Sequence, residues 1–186
     1  MRRTLEQRIG WRSWLVGVVV FVAFLIFVLP AEADRTIAAA GTSETPDTSY
    51  LYTAADLERL AGEYGEEGRA HYIRSRFTFD IVWPLAYGFF LQSSLLLASR
   101  RTVLGRLPSP LILLPMFVVV FDLLENTSAS IVMARYPDST PLVAHAAPVF
   151  TFMKWNLLVA SFILVGIGAL AGLVELGRRR RRSRTP

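Results

Sequence analysis

Residues 111–133 read LILLPMFVVVFDLLENTSASIVM, and the reading of this stretch decides the fold. Roughly 20 largely apolar residues cross a bilayer core as one helix, and this run reaches that length while carrying Asp122, Glu125 and Asn126 near its middle. Those three fall at i, i+3 and i+4, on one helical face, and Ser130 extends the same stripe. An ionisable side chain at bilayer depth costs about 2.5–3.5 kcal/mol on insertion scales, so such a face turns toward other protein rather than toward lipid. The stretch is therefore expected to be one helix of a transmembrane bundle.

Three further segments have the required length and apolarity: 13–30, 79–98 and 148–176. The composition agrees, since 53% hydrophobic against 19% charged residues gives more apolar surface than a soluble domain of 186 residues covers. The predicted fold class is all-α, a four-helix transmembrane bundle. The sequence contains no cysteine, which excludes disulfides, thiolate metal sites, iron–sulfur clusters and cysteine nucleophiles.

The arginines predict orientation, because cationic loops resist translocation. Arg2, Arg3, Arg8 and Arg12 lie in segment 1–12, Arg100, Arg101 and Arg106 in segment 99–110, and six more follow residue 176. A four-span arrangement puts all thirteen on one side. The other side receives six, diluted by ten acids. Both termini are thus expected in the cytoplasm of a multi-pass protein of the cell membrane. The net charge of +5 does not point to nucleic acid, because no aromatic residue interleaves the arginines of the 177–186 tail, as stacking on bases requires. That tail is expected to anchor at an anionic leaflet. Basic residues, an apolar run and then Ala31-Glu32-Ala33 also match a cleavable signal peptide. The run is long for a signal core, however, and four helices close a bundle better than three, so it is read as a retained span.

Outside the membrane, 31–52 reads as a flexible linker, rich in Ala, Thr, Ser, Asp and Pro without periodicity. Segment 53–78 is expected to be helical, because Thr53 and Asp56 have capping-box spacing and Tyr52 with Leu57 the spacing of a hydrophobic staple. Leu57, Leu60, Ala61 and Tyr64 then recur at helical spacing opposite Glu58, Arg59 and Glu63, the pattern of a short amphipathic helix lying on the membrane or capping the bundle. Gly65 and Gly68 are expected to end or bend it. Segment 134–147 forms the second outer loop. Gly168 and Gly172 have the spacing that lets membrane helices approach closely.

The other intramembrane polar groups are Lys154 and Asn156 in the fourth span, and Asp80 and Tyr87, which share a face with Pro84 in the second. Glu125 lies eight residues in from Met133 and Lys154 eight residues in from Ala146. At the helical rise that is about 12 Å for each. An ion pair from Lys154 to Glu125 or to Asp122 is therefore geometrically available. Two acids one turn apart repel when both ionise, so one is expected to hold a proton unless Lys154 or Arg76 is close. His71 and His145, the two histidines, are read as unrelated interfacial residues rather than as a metal or haem pair. No metal and no cofactor is expected, and the sequence has no phosphate-binding glycine loop and no Ser/His/Asp set.

With Glu67-Gly68-Arg69, Tyr72, Asp80, Pro84, Tyr87, the Asp122-Leu-Leu-Glu125-Asn126 run, Pro137 and Lys154-Trp155 placed, the chain resembles an uncharacterised family of small four-span bacterial membrane proteins. The likeness covers about residues 64–156 and implies no activity. In span order, in the 57–64 helix before the second span and in its intramembrane acids, the chain is more loosely similar to the emopamil-binding and sigma-receptor-like superfamily. That likeness implies an acidic intramembrane pocket for sterols or cationic amphiphiles. An arginine-rich, cysteine-free composition agrees with a bacterial source, where a sterol would be unexpected, so the ligand's identity does not carry over.

Two functions of different class follow. In one, Asp122 and Glu125 are proton-handling or cation-pairing acids of a lipid or amphiphile pocket completed by Asp80, Tyr87, Asn126 and Lys154, with isomerase-like proton transfer as the reaction it could support. In the other, the same residues only cement a structural or assembly subunit. Membrane lipids are the expected partners in both, and homo-oligomerisation stays open. A proton-coupled transporter ranks below both, because one four-helix chain would need to oligomerise to form a path.

Overall fold

The computed structural model describes residues 4–5, 8–100 and 102–182, giving for Asp47 and residues 179–182 the backbone alone. The arginine tail's proposed anchor therefore lies largely outside the described side chains. Among the described residues there are helices and no strands. We number the helices α1 (Trp11–Ala40), α2 (Ala54–Glu63), α3 (Gly65–Arg76), α4 (Phe79–Ser99), α5 (Ser109–Ile112), α6 (Leu114–Arg135) and α7 (Pro141–Arg182). Four helical stretches are long and apolar enough to cross a membrane: α1, α3 continued into α4, α6 and α7. The architecture is compatible with a multi-pass membrane protein.

The most polar spans form the centre. α4 and α6 bury about half of their apolar stretches, whereas α1 and α7 bury little of theirs and face outward. α6 packs chiefly on α7 and α4, and α4 also contacts α1 and α7. A charged stripe inside the bundle requires this arrangement, because only the central helices have neighbours on enough sides to cover it.

α1 differs from the sequence reading. The linker expected from residue 31 begins only after Ala40, and residues 31–40 continue the helix until Gly41, at φ 71°, ends it in the left-handed region. The physical reason lies in the residues themselves. Ala, Glu and Arg favour helix, Glu32 pairs with Arg35 at 3.4 Å, and Pro30 stands at the start of the second segment, where its missing N–H costs least. A widened π-turn over Phe24–Val28 accommodates that proline.

α2 begins as expected. The Thr53 N–H donates to Asp56 Oδ2 at 2.8 Å and the Asp56 N–H donates to Thr53 Oγ1 at 3.2 Å, a complete capping box. Of the two settings left open for this helix, it caps the bundle: Leu57, Leu60, Ala61 and Tyr64 are buried with Tyr72 of α3, Ala129, Val132 and Met133 of α6, and Ala144 and Ala147 of α7. Gly65, at φ 62°, turns the chain from α2 into α3. Gly68 does not break a helix. It lies inside α3, where an added Cβ would come within 3.0 Å of Ala40 Cα, so it admits the end of α1 against α3. Likewise α7 begins at Pro141 rather than at 148 and accommodates Pro148 in its interior. Of the glycine pair in α7, Gly168 is the close contact, its Cβ position 2.7 Å from Ala98 Cβ, while Gly172 has nothing within 4 Å.

Candidate functional site

The centre of the bundle holds a connected polar cluster contributed by α3, α4, α6 and α7. Lys154 of α7 forms an ion pair with Glu125 of α6, Nζ 2.5 Å from Oε2. The Tyr87 hydroxyl of α4 donates to Asp122 Oδ2 at 2.5 Å, and Asn126 Nδ2 donates to Asp122 Oδ1 at 3.2 Å. At the end covered by α2 and α3, Arg76 forms an ion pair with Asp80, four residues on, and its guanidinium lies over the Tyr72 ring, 4.4 Å from the centroid. None of Arg76, Asp80, Tyr87, Asp122, Glu125, Asn126 and Lys154 is more than 7% exposed.

Pro84 explains one link of this cluster. A proline inside a helix gives no N–H to the carbonyl four residues earlier, here that of Asp80 in the first turn of α4. Asn126 Nδ2 donates to that carbonyl at 3.3 Å, so a side chain of α6 supplies what the α4 backbone omits. Because Asn126 Nδ2 faces two acceptors, the orientation of its amide is fixed by its partners. Its Oδ1 and the Ser130 Oγ one turn on are buried without a hydrogen-bond partner among the described residues.

All six residues singled out from the sequence thus converge, with Lys154 on Glu125 rather than on Asp122. Asn156 does not join them. It is exposed and accepts a bond from Tyr50 at 3.3 Å. The histidines stand apart from the cluster and from each other: His145 Nδ1 lies 2.7 Å from the Pro141 carbonyl on an exposed face, and His71 Nε2 lies 3.8 Å from Glu32.

Sequence reasoning missed Glu32. Placed by the continued α1 helix, it accepts a hydrogen bond from Ser75 Oγ of α3 at 2.6 Å. A cavity of about 170 Å³ lies on one side of this contact, with Leu29, Thr36, Thr45, Arg76 and Asp80 in its wall beside Glu32. A more open recess of about 510 Å³ lies on the other, lined by Arg35, Glu67, His71 and Arg74 as well as by Glu32 and Ser75. The signal that could have found Glu32 is the run of good helix formers beyond Pro30, which argues against a linker there. The inner cavity reaches the cluster through Asp80, from which Asn126 leads to Asp122 and Tyr87.

Chemically, the cluster sets three carboxyl groups (Asp80, Asp122, Glu125) against two cations (Arg76, Lys154) in a setting shielded from water. With all five ionised it carries a formal charge of −1. Such an arrangement favours uptake of a proton or of a ligand's positive charge. The chain matches no protein-family model, no curated protein and no solved structure.

Proposed function

We propose that this is a multi-pass protein of the cell membrane, with both termini cytoplasmic, that binds a small amphiphile bearing a positively charged, hydrogen-bond-donating head. The carrying observation is the cavity lined by Glu32, Arg76 and Asp80, behind which Asn126 links the Asp80 carbonyl to Asp122 and Tyr87. The excess of one carboxyl over the cations in the cluster suits a donor cation. In this reading Asp122 is the proton-handling or cation-pairing acid, Tyr87 and Asn126 hold it, and Glu125 with Lys154 completes the polar cluster as an ion pair. Isomerase-like proton transfer is the reaction such a site could support, with Asp122 as the group to test. The looser likeness to the emopamil-binding superfamily belongs to the same proposal, as does the arginine count behind the orientation.

One observation favours the second reading, a structural subunit. Glu125 is fully buried in its contact with Lys154, and this pair joins α6 to α7 as interhelical cement would. The two readings separate by residue. In nanodiscs, titration with a long-chain primary amine, followed by the fluorescence of Trp83, whose ring lies 5.3 Å from that of Tyr87, should show saturable binding that weakens on acidification. Asp122→Asn should abolish that binding at unchanged helicity. Equal binding by wild type and Asp122→Asn would refute the pocket and leave the cement.

A further inference from the structure

Three side chains meet where the end of α1 lies on α3. Glu32 Oε1 accepts from Ser75 Oγ at 2.6 Å, and Glu32 Oε2 stands 3.4 Å from Arg35. His71, one turn before Ser75 on the same face of α3, places its Nε2 3.8 Å from Glu32 Oε1, too far for a hydrogen bond. That nitrogen is buried and has no hydrogen-bond partner among the described residues. Both side chains nevertheless line the open recess and are partly exposed, His71 by 23% and Glu32 by 14%, so protons reach them from solvent.

The other charges around His71 leave Glu32 as its partner. In the wall of the recess α1 contributes Glu32 and Arg35, and α3 contributes Glu67 and Arg74. Glu67 stands four residues before His71 and Arg74 three residues after it, an acid and a base at comparable spacing whose effects on an imidazolium oppose each other. Arg35 is exposed and paired with the other oxygen of Glu32. On the inner side Arg76 and Asp80 hold each other. α2 and α6 also pack on α3, but the acids of α6 are engaged with Tyr87, Asn126 and Lys154, and the charged groups of α2 with Thr53, Glu44 and Ser139 and with one another. Among the described residues none of α2, α4, α6 or α7 lines the recess. Glu32 Oε1 is therefore the acceptor within reach of a protonated His71, and a carboxylate oxygen that takes one hydrogen bond can take a second.

We propose that His71 is an acid-operated latch: protonated, it closes the gap to Glu32 and holds α1 against α3, and neutral, it leaves Glu32 to Ser75. Histidine is the side chain whose charge ordinarily changes between about pH 5 and 8. A proton that gains an acceptor only while the helices are together favours closure by the same amount that closure favours the proton. The contact is therefore firmest at acid pH and relaxes as pH rises through the imidazole's range. α1 is the element on which this acts most readily, because its apolar stretch buries the least of the four. The latch needs no ligand. Its use as a gate for the smaller cavity, which Glu32 and Ser75 also line, rests on the function proposed above.

The test is amide hydrogen exchange, read by mass spectrometry on full-length protein in nanodiscs without ligand, with variants compared at equal pH so that the intrinsic exchange rate cancels. At about pH 5.5, residues 33–40 should exchange about fivefold more slowly in wild type than in His71→Gln, the upper end for an ion pair that water still reaches. At about pH 8 the two should agree. His71→Lys, a permanent cation at this position, covers poor folding of His71→Gln: wild type should match it at the acid pH and exchange about fivefold faster at the alkaline one. In a Glu32→Gln background all three should agree. A difference between wild type and His71→Gln that is the same at both pH values, or absent from both, would mean that the ring only packs. A difference that survives Glu32→Gln would mean that His71 acts on another group, and faster exchange of wild type at acid pH would mean that Arg35 and Arg74 prevail. Each of these results overturns the latch, and none bears on Asp122, because no amphiphile is present.

Discussion

Removing the charge of Lys154 should destabilise the bundle strongly, and removing Glu125's charge as well should restore much of the loss. The pair is in direct contact at 2.5 Å, with the side chains 7% and 1% exposed. At an effective dielectric constant near 20, two unit charges that close attract with about 7 kcal/mol, most of it offset by the desolvation of both groups. The net worth of the pair is therefore small, but the worth of keeping it intact is not. Breaking a buried pair typically costs about 3–5 kcal/mol, because the remaining charge keeps its desolvation penalty and loses its partner. Lys154→Met and Glu125→Gln should each fall in or just below that range. The double variant should lose less than the sum by about 2 kcal/mol or more.

The assay is reversible unfolding from mild detergent into dodecyl sulfate, followed by helicity, for both singles, the double, Asp122→Asn and Asp122→Asn with Lys154→Met. Coupling of Lys154 to Asp122 should be the smaller, since Asp122 accepts from Tyr87 and Asn126. Additive losses for Glu125 and Lys154 would mean that the lysine only snorkels. Equal coupling to both acids would mean that the cluster shares its charge rather than dividing it into pairs. Either result refutes the reasoning.

Reporter fusions after residues 47 and 184 should report opposite sides of the membrane, and finding both on the same side would sink the four-span orientation. Asparagine 126 should matter less when Pro84 is gone: Pro84→Ala returns an N–H to the Asp80 carbonyl, so Asn126→Ala, expected to cost about 1–3 kcal/mol in the wild type, should cost measurably less in that background, and an undiminished cost would show that the carbonyl does not depend on Asn126. At the cap of α2, the Thr53 hydroxyl and then its backbone N–H hold the Asp56 carboxyl below its usual value. A carboxyl depressed by folding stabilises above its unfolded pKa, about 3.9, and that contribution is lost as pH falls through the lower folded value. Amide exchange in α2 should therefore quicken on acidification through that window, and Asp56→Asn should remove the dependence.

Much of this architecture was legible in the sequence because its signals are local or periodic. The 3.6-residue repeat puts Asp122, Glu125 and Asn126 on one face whatever surrounds the helix, and the Thr53 and Asp56 spacing encodes a contact three residues long. The partner of Lys154 was not legible in the same way. Helical positions three apart differ by about 60° around and about 4.5 Å along the axis, so the choice between Glu125 and Asp122 depends on how α6 and α7 are rotated and shifted against each other, which packing decides. Glu32 was hidden for a different reason. Pro30 followed by Ala31-Glu32-Ala33 resembles both a helix end and a processing site, yet a proline in the first turn of a helical segment removes no bond that the segment needs. Gly68 was misread as a breaker because spacing gives a glycine's presence and not its neighbour, here the backbone of Ala40.

The placement of Glu32 bears on how the proposed pocket could be reached. α1 buries the least of the four spanning stretches. It is held to the rest by Trp14 on Ser94 at one end, by Phe21 and Phe24 stacked on Trp83 along its length, and by Glu32 on Ser75 at the other. An element with little buried surface is the one that separates at lowest cost. The Glu32–Ser75 contact borders both the recess and the smaller cavity, since both residues line both spaces. Opening at this contact separates α1 from α3 and leaves the Arg76–Asp80 and Lys154–Glu125 pairs in place. The Lys154–Glu125 pair joins α6 to α7 and the Glu32–Ser75 contact joins α1 to α3, so the bundle can keep Lys154 on Glu125 while α1 yields.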